Sequence, residues 1–150
     1  MLYLGSDHRG FNLKNQIKIY LTKLDYTFKD LGATTQNEKD DYTDFAQAVA
    51  IAVAKNPNRH RGIVICGSGA GVCITANKIK KIKAALATNI VMAKAGKADD
   101  NTNVLCIAAN NTTTSLAKRI IKAWLETKYI SNERHERRIK KIEKIEELAS

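Results

Sequence analysis

Gly62-Ile63-Val64-Ile65-Cys66-Gly67-Ser68-Gly69-Ala70-Gly71-Val72-Cys73-Ile74-Thr75-Ala76-Asn77-Lys78 is the stretch around which this chain is organised. Ile63 to Cys66 is a short, largely β-branched run, the mark of a strand buried on both faces. Gly67, Gly69 and Gly71 follow at once, with Ser68 and Ala70 between them, and a helix-compatible segment opens at Val72. Strand, glycine-rich turn and helix start aim backbone N–H groups and a positive helix end at one concave spot. A phosphate or a developing oxyanion fits there. The turn also carries a thiol, Cys66, and a hydroxyl, Ser68.

The familiar phosphate motifs do not fit. A dinucleotide fingerprint needs G-x-G-x-x-G, but the third glycine, Gly71, comes one residue early and Val72 stands in its place. No acidic residue lies near position 90 to hold a ribose. The P-loop pattern is absent, and Ser68 lacks the G-x-S-x-G frame of a nucleophile elbow. Turn glycines and a buried packing thiol are the plainer readings. Glycines, thiol and helix start together are what favour a functional Cys66.

At 150 residues and 44% hydrophobic content, the chain reads as one globular domain, 1–150. No apolar run approaches the ~20 residues of a membrane span. Leu2-Tyr3-Leu4 follows Met1 directly, without a secretory signal pattern. Cys66, Cys73 and Cys106 are odd in number and form no C-x-x-C pair, so neither a disulfide framework nor a metal site is expected. These features point to the cytoplasm. The net charge of +10 sits almost wholly in residues 51–125, where twelve Lys and Arg face only Asp99 and Asp100. A basic middle suits an anionic substrate, and nucleic acid too. Few aromatics are interleaved, however, and no helix-turn-helix, zinc-finger or RNA-binding signature is present.

Working outward, Leu2 to Leu4 predicts a first strand, ending in the loop Gly5-Ser6-Asp7-His8-Arg9-Gly10. An acid and an imidazole then stand at a strand's carboxyl end, where open α/β sheets bind ligands. Leu13, Ile17, Tyr20, Leu21 and Leu24 repeat with helical spacing. Tyr26 to Leu31 predicts a second strand, and residues 33–43 a polar loop containing Asp40-Asp41-Tyr42. Asp44 is placed to cap a helix from Phe45 to Ala54. Beyond the glycine turn come a strand Lys83 to Ala87, a short helix Ile90 to Lys94, and a polar stretch Gly96 to Asn103. A strand Val104 to Ala108 and helices Ser115 to Thr127 and Glu133 to Ser150 complete the chain. The alternation predicts an α/β fold: a three-layer, Rossmann-like, five-stranded parallel sheet in a single domain. The last helix spaces Ile139, Ile142, Ile145 and Leu148 three apart, a narrow stripe available for dimer contacts.

Several separated motifs coincide. Gly5 to Gly10, Asp41-Tyr42, Cys66 to Gly71, Asn101-Thr102-Asn103-Val104-Leu105 and Arg134-His135-Glu136-Arg137-Arg138 resemble the ribose-5-phosphate isomerase B family. That family also contains galactose-6-phosphate isomerase subunits, and the similarity runs from the first strand to the last helix. The resemblance implies a cofactor-free, metal-free aldose–ketose isomerase of the non-oxidative pentose phosphate pathway, working through an enediolate. It implies Cys66 as the base between C2 and C1, Ser68 assisting the sugar-oxygen proton transfers, and the amides of Gly67, Ser68, Gly69, Ala70 and Gly71 holding the enediolate charge. By the same resemblance Asp7 contacts sugar hydroxyls, Tyr42 lines the pocket, and His8, Arg134 and Arg138 bind the phosphate. The two arginines lie four apart and share a helix face, where they can fork onto phosphate oxygens.

The chain departs from the family at three positions. Asp99 stands where a ring-opening His is usual, Asp100 where Asn is usual, and Asn110 where a phosphate-binding Arg is common. The resemblance implies that these positions reach the site from the neighbouring subunit of a homodimer or tetramer. It predicts a phosphorylated sugar as substrate, with no nucleic-acid or membrane partner. Two other readings stay open: isomerisation of a six-carbon sugar phosphate (galactose 6-phosphate or allose 6-phosphate), and a non-catalytic sugar-phosphate or nucleic-acid binding protein. Cys66 discriminates, because a binding module has no need of a thiol at the turn.

Overall fold

The computed structural model describes residues 1–149, so the Ser150 end expected for the last helix lies outside the described residues. Five strands form one wholly parallel sheet: β1 (Leu2–Ser6), β2 (Phe28–Asp30), β3 (Arg61–Cys66), β4 (Ala84–Leu86) and β5 (Val104–Ala108), in the order β2-β1-β3-β5-β4. The helices α1 (Phe11–Lys23), α2 (Tyr42–Ala54), α3 (Ala70–Asn77), α4 (Ile90–Asp100) and α5 (Thr114–Glu126) connect them or follow them, and α6 (Glu133–Leu148) ends the chain. This is the three-layer α/β arrangement that the alternation predicts.

The period of two along β3 sorts the core. Ile63 and Ile65 face Leu13, Ile17, Ile120 and Trp124 of α1 and α5, while Val64 and Cys66 face Val49, Val53 and Val72 of α2 and α3. Every position from Ile63 to Ile65 is fully buried, as two helical layers require. From β1 the chain winds to one side of the sheet, and from β3 to the other. The carboxyl ends of β1 and β3 are therefore the topological switch point, where such sheets leave a crevice.

Two helix boundaries differ most from the sequence expectation. The second helix begins at Tyr42, with Asp41 at its cap position, so Asp44 lies inside the first turn and caps nothing. Its charge still suits that end of the helix. The helix after β4 does not stop at Lys94 but runs through Gly96 to Asp100. A Cβ at Gly96 would meet nothing nearer than 3.5 Å, so this glycine marks no break. The stop comes at Asn101, which is left-handed at φ 49°, a conformation Asn adopts more readily than most residues. Along α6 the apolar stripe rises out of the core: Ile139 is 8% exposed, Ile142 45%, Ile145 65% and Leu148 79%.

Candidate active site

β3 delivers Cys66 to the crevice and the glycine turn folds back over it. Gly69 adopts φ +73°, and a Cβ there would come within 2.5 Å of Leu86 Cδ1 and 3.1 Å of the Ala108 nitrogen. Only glycine combines that backbone with that space. The bend swings the Gly69 N–H onto the Cys66 sulfur at 3.2 Å. One residue further, the Ala70 N–H reaches Ser68 Oγ at 3.3 Å as α3 begins. Cys66 is buried, whereas Ser68 is exposed on the rim.

Cys66 and Ser68 line an open cleft of about 500 Å³ together with Asp7, His8, Tyr42 and Asn110. Asp7 is 4% exposed and its Oδ1 accepts the N–H groups of Arg9, at 3.0 Å, and Gly10, at 3.1 Å. That Asx turn holds the β1 loop and leaves its second oxygen for a ligand hydroxyl. His8 is met by Asp40, whose Oδ1 takes the His8 backbone N–H at 3.0 Å and faces Nδ1 at 2.7 Å. Tyr42, the first residue of α2, lays its ring over Gly71, where a Cβ would sit 2.5 Å from the ring. Gly71→Ala is therefore expected to displace Tyr42 and raise KM at least several-fold with the fold intact. A KM equal to wild type would show that Tyr42 contributes nothing to binding.

Asn110 corrects one expectation. It lies in the cleft of its own chain, not in a neighbour's half of the site. The Ala109 N–H donates to the Cys66 carbonyl at 2.8 Å and the Asn110 N–H to the Gly67 carbonyl at 3.0 Å. These bonds carry the β3–β5 pairing past the strand ends and bring Asn110 beside Gly67.

Asp99, Asp100, Arg134 and Arg138 are not brought to this cleft. α4 leaves the carboxyl end of β4 and returns to the start of β5, so Asp99 and Asp100 finish at the amino end of the sheet, both exposed. α6 attaches there: the Ile130 N–H donates to the Ala98 carbonyl at 2.9 Å, and His135 Nε2 lies 3.7 Å from Asp99 Oδ1. Arg134 and Arg138 are exposed on that helix. The basic middle is misplaced for the cleft in the same way. Arg59 and Arg61 precede or open β3, and Lys78, Lys80, Lys81 and Lys83 precede β4, again at the amino end.

Asp40, Asp41 and Arg9 also line the cleft; the motifs contain Arg9 and Asp41 without a role for either, and Asp40 lies outside them in the polar loop. Asp40 is 32 positions from its partner His8, beyond the reach of any local pattern. The cleft thus holds three carboxylates, Asp7, Asp40 and Asp41, against Arg9 and His8. Asp7, His8 and Asp40 gather three ligand-type atoms within 4.8 Å of one another. Two of the three already face each other as a hydrogen-bonded pair, so the cluster is accounted for without an ion.

The other two thiols lie behind Cys66. The Cys106 thiol beside it, with a smaller contribution from the Leu86 backbone, brings Cys73 down to about 7 against the opposing effect of partial burial. Burial pushes Cys106 well up. Of these two the more acidic is Cys73, yet it sits on α3 itself, with its sulfur toward the Ala84 carbonyl of β4, and does not line the cleft. Of the three thiols, Cys66 is the one that lines the cleft.

Comparison with known proteins agrees along the whole chain. Residues 2–142 match the family described as Ribose/Galactose Isomerase. A probable ribose-5-phosphate isomerase B of Mycoplasma genitalium is 40% identical over 141 residues, covering 94% of this chain and 92% of that protein. The D-erythrulose-4-phosphate isomerase of Pectobacterium atrosepticum is 35% identical over 126 residues, covering 84% of this chain and 82% of that protein. Among solved structures, the Mycoplasma genitalium ribose-5-phosphate isomerase B with bound ribulose-5-phosphate matches with a TM-score of 0.94 at 39% identity, covering 97% of this chain and 95% of that one.

Proposed function

This chain belongs to the ribose/galactose isomerase family, and from that premise we propose that it interconverts ribose 5-phosphate and ribulose 5-phosphate with Cys66 as the proton carrier. The observation that carries the reading is the Cys66 thiol, buried beneath the cleft with the Gly69 N–H on its sulfur. In the open-chain aldose the thiolate takes the proton from C2. The electron pair moves to the carbonyl oxygen as the enediolate forms, and the proton returns at C1 to give the ketose. A base in this role contributes ~10²–10⁴-fold. The Gly69 and Ala70 amides are already given to sulfur and Ser68 Oγ. Gly67, Ser68 and Gly71 are left to hold the enediolate oxygens. Ser68 passes protons between those oxygens, Asp7 and Asn110 take sugar hydroxyls, and Tyr42 walls the pocket.

The phosphate group supports a second half of the site. Three carboxylates against one Arg and one His make a poor seat for a dianion. In this reading Arg134 and Arg138 of a second copy supply the missing cations, and its Asp99 and Asp100 act on the sugar ring. Exposed apolar side chains favour such a pairing: Ile145 at 65% and Leu148 at 79% on α6, Val91 at 76% on α4, and Ile74 at 62% on α3. The protein is then a single-domain, dimeric cytoplasmic enzyme. Among the described residues no helix is long and apolar enough to cross a membrane.

A coupled assay on ribose 5-phosphate beside galactose 6-phosphate tests the activity, with faster turnover of the pentose expected. Absence of turnover on both would overturn the reading. The shared site is tested by mixing Cys66→Ala with an Arg134→Ala/Arg138→Ala variant. Random exchange makes half the dimers mixed, each with one intact site in two, so about a quarter of wild-type activity should return. Verified mixed dimers that stay inactive would place the arginines outside the partner's site.

A further inference from the structure

We infer that Asp40 is a positioning residue, which fixes the His8 imidazole with Nδ1 protonated and presents Nε2 to the substrate. The inference rests on the reading of the cleft above and adds a residue that the sequence motifs do not mark. Asp40 Oδ1 receives two groups of His8, the backbone N–H at 3.0 Å and the ring Nδ1 at 2.7 Å. A carboxylate oxygen can only accept, so Nδ1 carries the proton and is spent on Asp40. Nε2 is then the one ring nitrogen free for a ligand, on a side chain 23% exposed at the cleft wall.

The Asp40 side chain is 10% exposed, and its Oδ2 is buried without a hydrogen-bond partner among the described residues. A buried polar atom left unpaired is costly and calls for a reason. Here Oδ1 makes both bonds to a single residue, and His8 is the basic side chain in ion-pair contact with Asp40 among the described residues. The carboxylate therefore serves His8. Fixing the tautomer through the far nitrogen is how an imidazole is aimed at a phosphate or at any other partner. The loop that carries Asp40 lies 32 positions downstream of His8. Its conformation, not the His8 loop alone, therefore decides how the ring meets substrate.

The test is a double-mutant cycle on steady-state kinetics with ribose 5-phosphate. Asp40→Ala should raise KM about tenfold, the worth of one charge-assisted hydrogen bond to substrate, with kcat changed by less. In a His8→Ala background, Asp40→Ala should add nothing. Asp40→Asn, which keeps an oxygen for the His8 amide and so protects the loop, should raise KM in the same direction. Nitrogen-15 spectra of the ligand-free protein give a readout independent of turnover. Only three histidines are present, and the His8 signals, identified by their loss in His8→Ala, should show the Nδ1–H form in wild type and the Nε2–H form in Asp40→Ala. A wild-type ring already in the Nε2–H form overturns the inference, as do unchanged KM or equal Asp40→Ala effects with and without His8. Failure of the wild-type protein to turn over any sugar phosphate would count against the functional reading, while the spectra would still decide the role of Asp40.

Discussion

Replacing Cys66 by alanine is expected to lower kcat on ribose 5-phosphate by about 10²–10⁴-fold, the usual contribution of a proton-transfer group, while ribulose 5-phosphate still binds. The variant should fold. Alanine removes the sulfur that takes the Gly69 N–H, but the backbone bonds past the ends of β3 and β5 still hold the turn: the Ala109 N–H to the Cys66 carbonyl and the Asn110 N–H to the Gly67 carbonyl do not involve sulfur. The control is Cys73→Ser. If thiol acidity decided function, this variant would be the inactive one, since Cys73 is the thiol lowered to about 7. The geometry predicts the reverse, because Cys73 sits on α3 with its sulfur toward β4 and does not line the cleft. Near-normal turnover by Cys66→Ala, or a large loss in Cys73→Ser with the fold intact, would move the base to another residue.

The second large effect is on stability. Lys14 lies on the inward face of α1, completely buried, with Nζ 2.9 Å from Asp30 Oδ1 and 2.6 Å from the Ala33 carbonyl oxygen. Asp30, at the end of β2, also meets Lys18 at 2.9 Å and accepts the Gly32 N–H at 2.9 Å. Burial raises the Asp30 carboxyl, but Lys18, Lys14 and the Gly32 amide outweigh it and hold it below its usual value. Breaking a buried pair by removing one member costs ~3–5 kcal/mol. Asp30 keeps Lys18 and is 21% exposed, so Lys14→Met should cost about 3 kcal/mol, roughly 6–12 °C in Tm. Urea and thermal melts check this, and a loss under about 1 kcal/mol would make the pair incidental.

The pH dependence has a definite sign. A folded-state value below the unfolded one, which is ~3.9, gives stability that is full above about pH 4 and lost as the pH falls through the folded value. That acid-side loss should shrink in Lys14→Met, where Asp30 has one cation fewer. The effect bears on the site as well. Lys14 and Asp30 fix the turn through Gly32 and Ala33, and the Ala33 N–H donates to the Ser6 carbonyl at 3.1 Å beside the Asp7 loop.

Lys14 also shows how far a local pattern reaches. Beside Leu13, in a helix whose apolar stripe is Leu13, Ile17 and Leu21, a lysine reads as solvated. It is buried because a carboxylate 16 positions away on β2 and a backbone carbonyl 19 positions away meet it inside. Asp40 is the same case with His8. In both, the partner is set by strand order, which spacing along the chain does not encode. The end of α4 failed for a milder reason. Gly96 carries a real propensity cost of ~1 kcal/mol, but open space and tertiary packing absorb it, and the left-handed Asn101 sets the boundary instead.

The alternation of strands and helices, the depth of β3, and the turn from Cys66 to Gly71 are all legible along the chain. Those are short-range properties: side-chain branching, periodicity, and glycine where φ must be positive. Which separated residues share a cleft depends instead on the folded sheet. Parallel pairing of β1, β3 and β5 puts their carboxyl ends side by side, which unites Asp7 and His8 with Cys66 and Asn110. The same winding returns each helix to the amino end, carrying Asp99 and Asp100 away on α4, with Arg134 and Arg138 on the α6 that packs against it. A parallel strand must be followed by a crossover running back the length of the sheet. Residues on the far half of such a crossover, Asp99 and Asp100 among them, therefore stand at the opposite end of the sheet from this cleft.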